Sequence, residues 1–331
     1  MEGASILRKT DMGEPLVSVV IPAFNAGKYI GDALGSIVSQ SYVNHEIIVV
    51  DDGSTDNTES LINENYPSVR LMRQRNLGPA AARNKGIINS KGKYIAFLDA
   101  DDVWLPEKLE KSVKALEADS AAALVYSGRC WVGEYLQPID IKDKPEFYSG
   151  DVYYELFMGN FISTTSVVVV RKSVFDELGL FNEDQQLRVC EDYEMWLRIA
   201  DRFPIRSISQ ALVLYRLHTS NTHSNIAKLM TGLIKTIEIA EKAHYWEKIK
   251  KKERLKIFRT RYCRIHKESA HSLFYNGDYV SSRENFIKAH RHHLFDVECF
   301  FYISLLSLFP KATIDFLRKL RKRVVPEAGG G

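Results

Sequence analysis

The sequence predicts an α/β protein: a mostly parallel sheet flanked by helices, followed by an α-helical C-terminal region. Three observations lead there. Short, near-continuous runs rich in Val and Ile alternate with amphipathic stretches over residues 16–132, the pattern of strands covered on both faces. Clusters rich in carboxylates and small polar residues follow these runs. From about Asn225 the chain turns to helical segments rich in Lys and Arg.

In chain order, Val17-Ser18-Val19-Val20-Ile21 is a strand that stops at Pro22. Lys28 to Gln40 has helical spacing, with Ile30, Leu34, Ile37 and Val38 on one face. Glu46-Ile47-Ile48-Val49-Val50 is a second strand, and Asp56 to Asn65 a helix with Asp56 as its N-cap. Val69 to Met72 is a short strand, Pro79 to Asn89 a helix, Tyr94 to Leu98 a strand, and Pro106 to Glu117 a helix. Residues 133–150 form a polar insertion containing Pro138 and Pro145. A strand at Val167 to Val170, a helix opening near Glu191 and a strand from Val213 follow. The expected organisation is a flexible N-terminus (1–15), an α/β unit (16–224, halves 16–132 and 133–224), a helical region (225–326) and a disordered end (327–331).

Composition narrows the class. With 331 residues, 45% apolar and 26% charged, the chain reads as an ordinary globular protein of one or two domains. The net charge of +3 hides an asymmetry, because residues 225–331 carry 22 Lys/Arg against 11 Asp/Glu and the remainder is acidic. Two regions with different partners are expected. Cys130, Cys190, Cys263 and Cys299 are scattered, without a CxxC pair, which favours reduced thiols and a cytoplasmic setting. No leader is expected in Met1 to Pro15, and no apolar stretch is long enough to span a bilayer.

Chemistry concentrates after the strands, where ligands of open α/β sheets bind. The first strand runs into Pro22-Ala23-Phe24-Asn25, the second into Asp51-Asp52-Gly53-Ser54-Thr55-Asp56, and the fourth into Asp99-Ala100-Asp101-Asp102. Crowded carboxylates repel, so a hard divalent cation is expected at the last cluster. Each cluster is also good turn and capping sequence, and Asp102 suits the N-terminus of the helix opened by Pro106. Arg83, in Asn76-Leu77-Gly78-Pro79-Ala80-Ala81-Ala82-Arg83-Asn84, offers a guanidinium fork suited to a diphosphate.

These four stretches, in this order, resemble the nucleotide-binding half of family 2 glycosyltransferases of the GT-A fold, with Asp99-Ala100-Asp101 as the DXD motif. The resemblance covers residues 16 to about 220. It implies that Asp52 accepts a hydrogen bond from N3–H of a uracil-type base, and that Pro22, Ala23 and Phe24, with Asn25 beside them, shape the base and ribose pocket. It implies further that Asn76 and Arg83 contact the nucleotide and that Asp99 meets the ribose and metal waters. Asp101 would bind the metal (Mn2+ or Mg2+), and Asp102 would serve the next helix. Cys190-Glu191-Asp192-Tyr193-Glu194-Met195-Trp196 matches the family's Glu-Asp motif. Asp192 is thereby assigned as the base, with Glu191 as the neighbour that orients acceptor or loop. In isolation the same carboxylates would gain from the helix dipole without reacting. Trp196 suits the acceptor side or the core equally. Ser163 to Ser166 is placed near the sugar, and His218 near metal or diphosphate. A processive Gln-x-x-Arg-Trp run is absent, which implies one sugar per event.

The C-terminal region holds a tetratricopeptide-like pair of helices around Ala270 to Ala289 and a histidine group, His290, His292 and His293, that reads as surface rather than metal site. Leu294 to Phe309 is strongly apolar, yet Asp296 and Glu298 argue against spanning. After Pro310 a basic amphipathic segment runs from Ile314 to Val325. Apolar surface beside cations suits peripheral contact of 294–325 with an anionic membrane, at the inner face of the cytoplasmic membrane. The expected function is an inverting, metal-assisted transferase that moves one sugar from a nucleotide-diphosphate sugar, UDP-linked, to a hydroxyl of a glycan or lipid-linked acceptor in cell-surface polysaccharide synthesis. Nucleic acid is not an expected partner, and self-association is left open. The alternatives are a sugar nucleotidyltransferase, whose Gly-rich phosphate loop Pro22-Ala23-Phe24-Asn25-Ala26-Gly27 fits poorly, or a catalytically inactive scaffold that binds partners or membrane through its helical tail.

Overall fold

The computed structural model describes residues 13–141, 145–218 and 226–315. The N-terminal dozen residues, His223 and the basic residues Arg318 to Arg323 lie outside that range, as does the expected disordered end. Within it the alternation read from the sequence is present as β1 (Val17–Ala23), α1 (Ile30–Val38), β2 (His45–Asp51), α2 (Thr58–Asn65), β3 (Arg70–Arg73), α3 (Pro79–Ile88) and β4 (Tyr94–Phe97). These strands pair in parallel: β1 with β2 and β4, and β2 with β3. Val17, Val19, Val20, Ile21 and Tyr94 to Phe97 are buried on both faces, which is why these strands read as unbroken apolar runs.

The second half departs from the parallel pattern. It comprises β5 (Val103–Trp104), α4 (Lys108–Ala118), β6 (Leu124–Val132), α5 (Tyr153–Met158), β7 (Val168–Arg171), α6 (Ser173–Leu178), α7 (Glu191–Ala200) and β8 (Ile205–Arg216). Strand β7 inserts antiparallel between β4 and β6, giving one eight-stranded mixed sheet of order β3-β2-β1-β4-β7-β6-β8-β5. The carboxyl ends of β1, β2 and β4 therefore share one rim, and β7 enters that rim next to β4 from the opposite direction.

Two close approaches fix the rim. At Gly86 in α3 an added Cβ would come 2.3 Å from Val20 Cγ1, so only glycine lets this helix lie against β1. Gly53 has φ +84°, and a Cβ there would meet the Asn76 backbone nitrogen at 3.0 Å. The turn after β2 thus touches the loop after β3. Asp56 is not the N-cap of α2, which is Asn57. It lies one residue earlier, where it accepts from the Thr58 backbone N–H at 3.0 Å and from Gly27 N–H at 3.0 Å, tying the loops after β1 and β2.

The helical part holds α8 (Ile226–Ala240), α9 (Lys251–Asn276), α10 (Tyr279–His292) and α11 (Val297–Leu308). The main apolar core runs past residue 225, taking in Ile237 of α8, Trp246 and Phe258 and Ile265 of α9. A second cluster, from Cys263 to Ile314, joins the outer helices. The expected hairpin is α9–α10, with Gly277 in the left-handed conformation as the C-cap and Asp278 accepting from the Ser281 N–H at 3.1 Å. Among the described residues no helix is long and apolar enough to cross a membrane, and no histidine, cysteine or carboxylate group can hold an ion by itself. The four cysteines are free thiols.

Candidate active site

The rim begins with Asn25, held at φ +49°, a left-handed conformation that asparagine tolerates. Its N–H donates to Ser54 Oγ at 2.8 Å, and its side-chain oxygen accepts from the Thr55 N–H at 2.9 Å. Asn25 is thus a fastener between the β1 and β2 loops. Phe24 beside it is 49% exposed and presents an aromatic face to solvent, while Pro22 and Ala23 lie behind it.

Asp52 is buried, and three donors converge on it: Gln74 Nε2 at 2.8 Å, the Leu77 N–H at 2.9 Å and the Gly78 N–H at 2.8 Å. A carboxylate has about four acceptor positions, so one remains for a ligand. Gln74, which sequence reasoning passed over, shares this carboxylate. Asn76 stands exposed on the same loop.

The centre of the site is Arg83. It rises from α3, is almost fully buried, and places Nη2 2.9 Å from Asp99 Oδ1 and Nη1 3.0 Å from Glu191 Oε1. Burial alone would depress its pKa, but Asp99 and Glu191 more than reverse this and hold the guanidinium charged. The sequence sends Arg83 to the diphosphate. In the structure each terminal nitrogen meets a carboxylate, so Arg83 also joins the β4 loop to the start of α7 as a strut.

Asp99 has further donors: Thr165 Oγ1 at 2.9 Å onto Oδ1 and Thr164 Oγ1 at 3.3 Å onto Oδ2. The hydroxyls of residues 164–166, expected near sugar, are turned to the Asp-rich loop, since Ser166 Oγ also donates to Asp102 Oδ2 at 2.6 Å. Asp102 is fully buried and also accepts from the Arg216 N–H at 3.1 Å. It does not cap α4, whose N-cap is Glu107. Burial, then Asp101 and Asp99, raise the pKa of Asp102 well above the usual carboxylate range. Ala100 is the buried hinge between Asp99 and Asp101.

Asp101 Oδ2 lies 2.8 Å from His218 Nε2, and the His218 ring stacks on Tyr29 with centroids 4.8 Å apart. Burial and the neighbouring Asp99 raise the pKa of Asp101, and His218 opposes the shift. Arg216, two residues before His218, secures the arrangement. Its Nε donates to the Asp101 carbonyl at 2.7 Å, Nη2 to Asp32 Oδ2 at 2.7 Å, Nη1 to the Glu134 carbonyl, and its guanidinium lies 4.8 Å over the Tyr29 ring. The expected strand through 213–216 carried the only sequence signal for this residue.

On the other side of Arg83, α7 opens with the Glu191-Asp192 pair. Glu191 is held at both oxygens: Oε1 by Arg83, and Oε2 accepting from the Val189 N–H at 2.8 Å. Val189 sits at φ +81°, a strained conformation for a β-branched residue that this hydrogen bond holds in place. Asp192 accepts from the Tyr193 N–H at 2.7 Å through Oδ1 alone. Burial, and next Glu191, push its pKa up to about 7, with Arg83 opposing. Trp196 on the same helix is core, not acceptor wall: it is fully buried, with its ring 5.8 Å from Phe181 and 6.4 Å from Phe97.

Comparison with known proteins follows this geometry. The family model for glycosyl transferase family 2 matches residues 18–179. A putative teichuronic acid biosynthesis glycosyltransferase, TuaG, of Bacillus subtilis is 31% identical over 220 residues, which cover 64% of this chain and 83% of that protein. An uncharacterized glycosyltransferase of Rickettsia felis is 32% identical over 242 residues, covering 70% of this chain but only 38% of the relative, so the chain spans well under half of that protein. Two solved structures share the GT-A fold. TarS 1-349 of S. aureus in complex with UDP-GlcNAc superposes with TM-score 0.61 at 16% identity, covering 93% of this chain and 91% of that one. The mannosyltransferase PcManGT of Pyrobaculum calidifontis, with GDP-Man and Mn2+, gives 0.58 at 19% identity, covering 96% and 89%. With its motifs on one rim and the Bacillus subtilis relative matched over 83% of its length, the chain belongs to glycosyl transferase family 2.

Proposed function

We propose that this chain is an inverting glycosyltransferase that moves a single sugar from a UDP-sugar to a hydroxyl of a glycan or lipid-linked acceptor in cell-surface polysaccharide synthesis. The carrying observation is the Arg83 strut, which ties the Asp99-Ala100-Asp101 loop to the Glu191-Asp192 pair across 2.9 and 3.0 Å contacts. The UDP-GlcNAc complex of TarS supports the donor class, and the name of the Bacillus subtilis relative supports the acceptor class.

Each residue then has a task. Phe24 and the remaining acceptor position of Asp52 receive the base, with Asn76 alongside. Asp192 takes the acceptor's hydroxyl proton as that oxygen bonds to the anomeric carbon from the face opposite the diphosphate. The bond from carbon to the phosphate oxygen breaks, and the nucleoside diphosphate leaves with the electron pair. Glu191, held by Arg83 and by the Val189 N–H, positions the loop beside that base.

The chemistry of the donor set fits a divalent cation. Asp101 and the His218 imidazole supply hard oxygen and borderline nitrogen donors, and Asp99 stands beside them. Such ions at phosphoryl sites take one or two carboxylates and complete their shell with substrate phosphates and water. The Mn2+ in the PcManGT complex supports that choice. When bound, the cation neutralises the departing diphosphate. Calorimetric titration with UDP, with and without Mn2+, followed by a donor-hydrolysis assay, tests the reading. Metal-enhanced UDP binding that disappears in Asp101→Ala supports it; unaltered binding and turnover in that variant would refute it.

A further inference from the structure

Helix α11 is apolar on two faces, and among the described residues only one is covered. Cys299 and Tyr302 are buried, with Tyr302 stacked 4.6 Å from Phe286 of α10. On the opposite side Val297, Phe300, Phe301 and Leu308 follow helical spacing, and Phe295 precedes them. Phe295 is 90% exposed, Phe300 65%, Phe301 57% and Leu308 76%. Proteins rarely leave such a contiguous aromatic stripe in water without a use for it.

Charge identifies the occupant. Residues 310–325, which continue directly from α11, carry six Lys/Arg against one acidic residue. Exposed Arg291 and Lys311 stand at the two ends of the stripe. The acidic groups at the start of the helix are partly offset: Lys267 Nζ lies 2.9 Å from Asp296 and 2.5 Å from Glu298, which also meets His271 at 3.1 Å. An apolar stripe bordered by cations, its acidic neighbours partly offset, matches an anionic lipid surface: rings enter the acyl boundary while Lys and Arg meet headgroup phosphates.

We infer that α11 docks this chain on an anionic phospholipid membrane through Phe295, Phe300 and Phe301. This placement stands apart from the proposed sugar transfer, since a chain can bind vesicles without turning over any donor, and the reverse. The test is sedimentation of the full chain with vesicles of phosphatidylcholine alone and of phosphatidylcholine mixed with phosphatidylglycerol. Binding is expected only to the anionic vesicles and should weaken as salt rises. The double variant Phe300→Ser/Phe301→Ser should bind about a hundredfold more weakly. An unchanged thermal transition shows that this variant is folded. Equal binding by the variant overturns the inference. So does a chain that ignores anionic vesicles but self-associates until Phe300→Ser/Phe301→Ser is introduced, since the stripe then faces a second copy. A third contrary result is binding seen only after removal of residues 316–331, which would mean that the chain's own end covers the stripe.

Discussion

Arg83 Nη1 and Glu191 Oε1 stand 3.0 Å apart although 108 residues separate them in sequence. The same guanidinium reaches Asp99 on its other side. The buried Glu191 and the partly exposed Asp99, one from each half of the site, thereby share one cation. Replacing it removes the partner of both, and an uncompensated buried charge costs about 3–5 kcal/mol. Arg83→Gln is expected to lose that much stability in urea unfolding. Arg83→Lys keeps a charge but not the fork, so it should retain more stability while losing donor binding and transfer together. Wild-type stability in Arg83→Gln would contradict the strut.

Asp192 gives a pH signature. Burial raises its pKa to about 7, so near neutral pH it is only half ionised. A base works deprotonated; kcat/KM should therefore fall about tenfold per pH unit below about pH 6 and level off above about pH 8. Asp192→Asn should lower turnover by about 10²–10⁴-fold and abolish that limb while leaving UDP affinity unchanged. A variant that keeps the acidic limb would assign it to another group.

Arg216 is expected to matter for the donor without touching it. It fixes the Asp101 carbonyl and the Tyr29 ring on which His218 stacks. Arg216→Lys gives up the multidentate geometry, leaving the carbonyls of Asp101 and Glu134 under-satisfied at about 1–3 kcal/mol. Calorimetry should show the Mn2+-dependent gain in UDP affinity reduced about tenfold, with metal-free UDP binding little altered. Equal losses with and without Mn2+ would point to general loosening instead.

What was legible in the sequence was local and periodic. The runs around Val19, Val49 and Ile95 declare buried strands by composition, and the polar stretches after them mark the rim. The tetratricopeptide-like pair read around Ala270 to Ala289 is present as the α9–α10 hairpin. The assignments that changed depend on long-range partners. Asp102 reads as a cap until Ser166 and Arg216 arrive from 64 and 114 residues away. Nothing near Arg83 in sequence reveals Asp99 and Glu191 as its partners either. Strand β6 and the antiparallel insertion of β7 escaped for the same reason: register between distant strands leaves no periodic mark on either.

Lys108 supplies the last prediction. It is fully buried, with Nζ donating to the Val167 carbonyl at 2.8 Å and to Ser112 Oγ at 3.1 Å. Burial lowers its pKa from the ordinary 10.5 to about 7. The unfolded chain therefore holds this proton up to about pH 10.5, whereas the folded chain releases it near 7. Between those values the unfolded state binds more protons, so stability rises with pH; below about 7 the cost of burying the charged amine is full. Lys108→Met removes this titration but leaves the Val167 carbonyl without its donor at every pH. Urea unfolding at about pH 7 and pH 10 separates the two effects. The variant's stability relative to wild type should be more favourable at the lower pH by up to roughly 4 kcal/mol. A pH-independent difference would mean that Lys108 keeps an ordinary pKa in the folded state, whatever its burial.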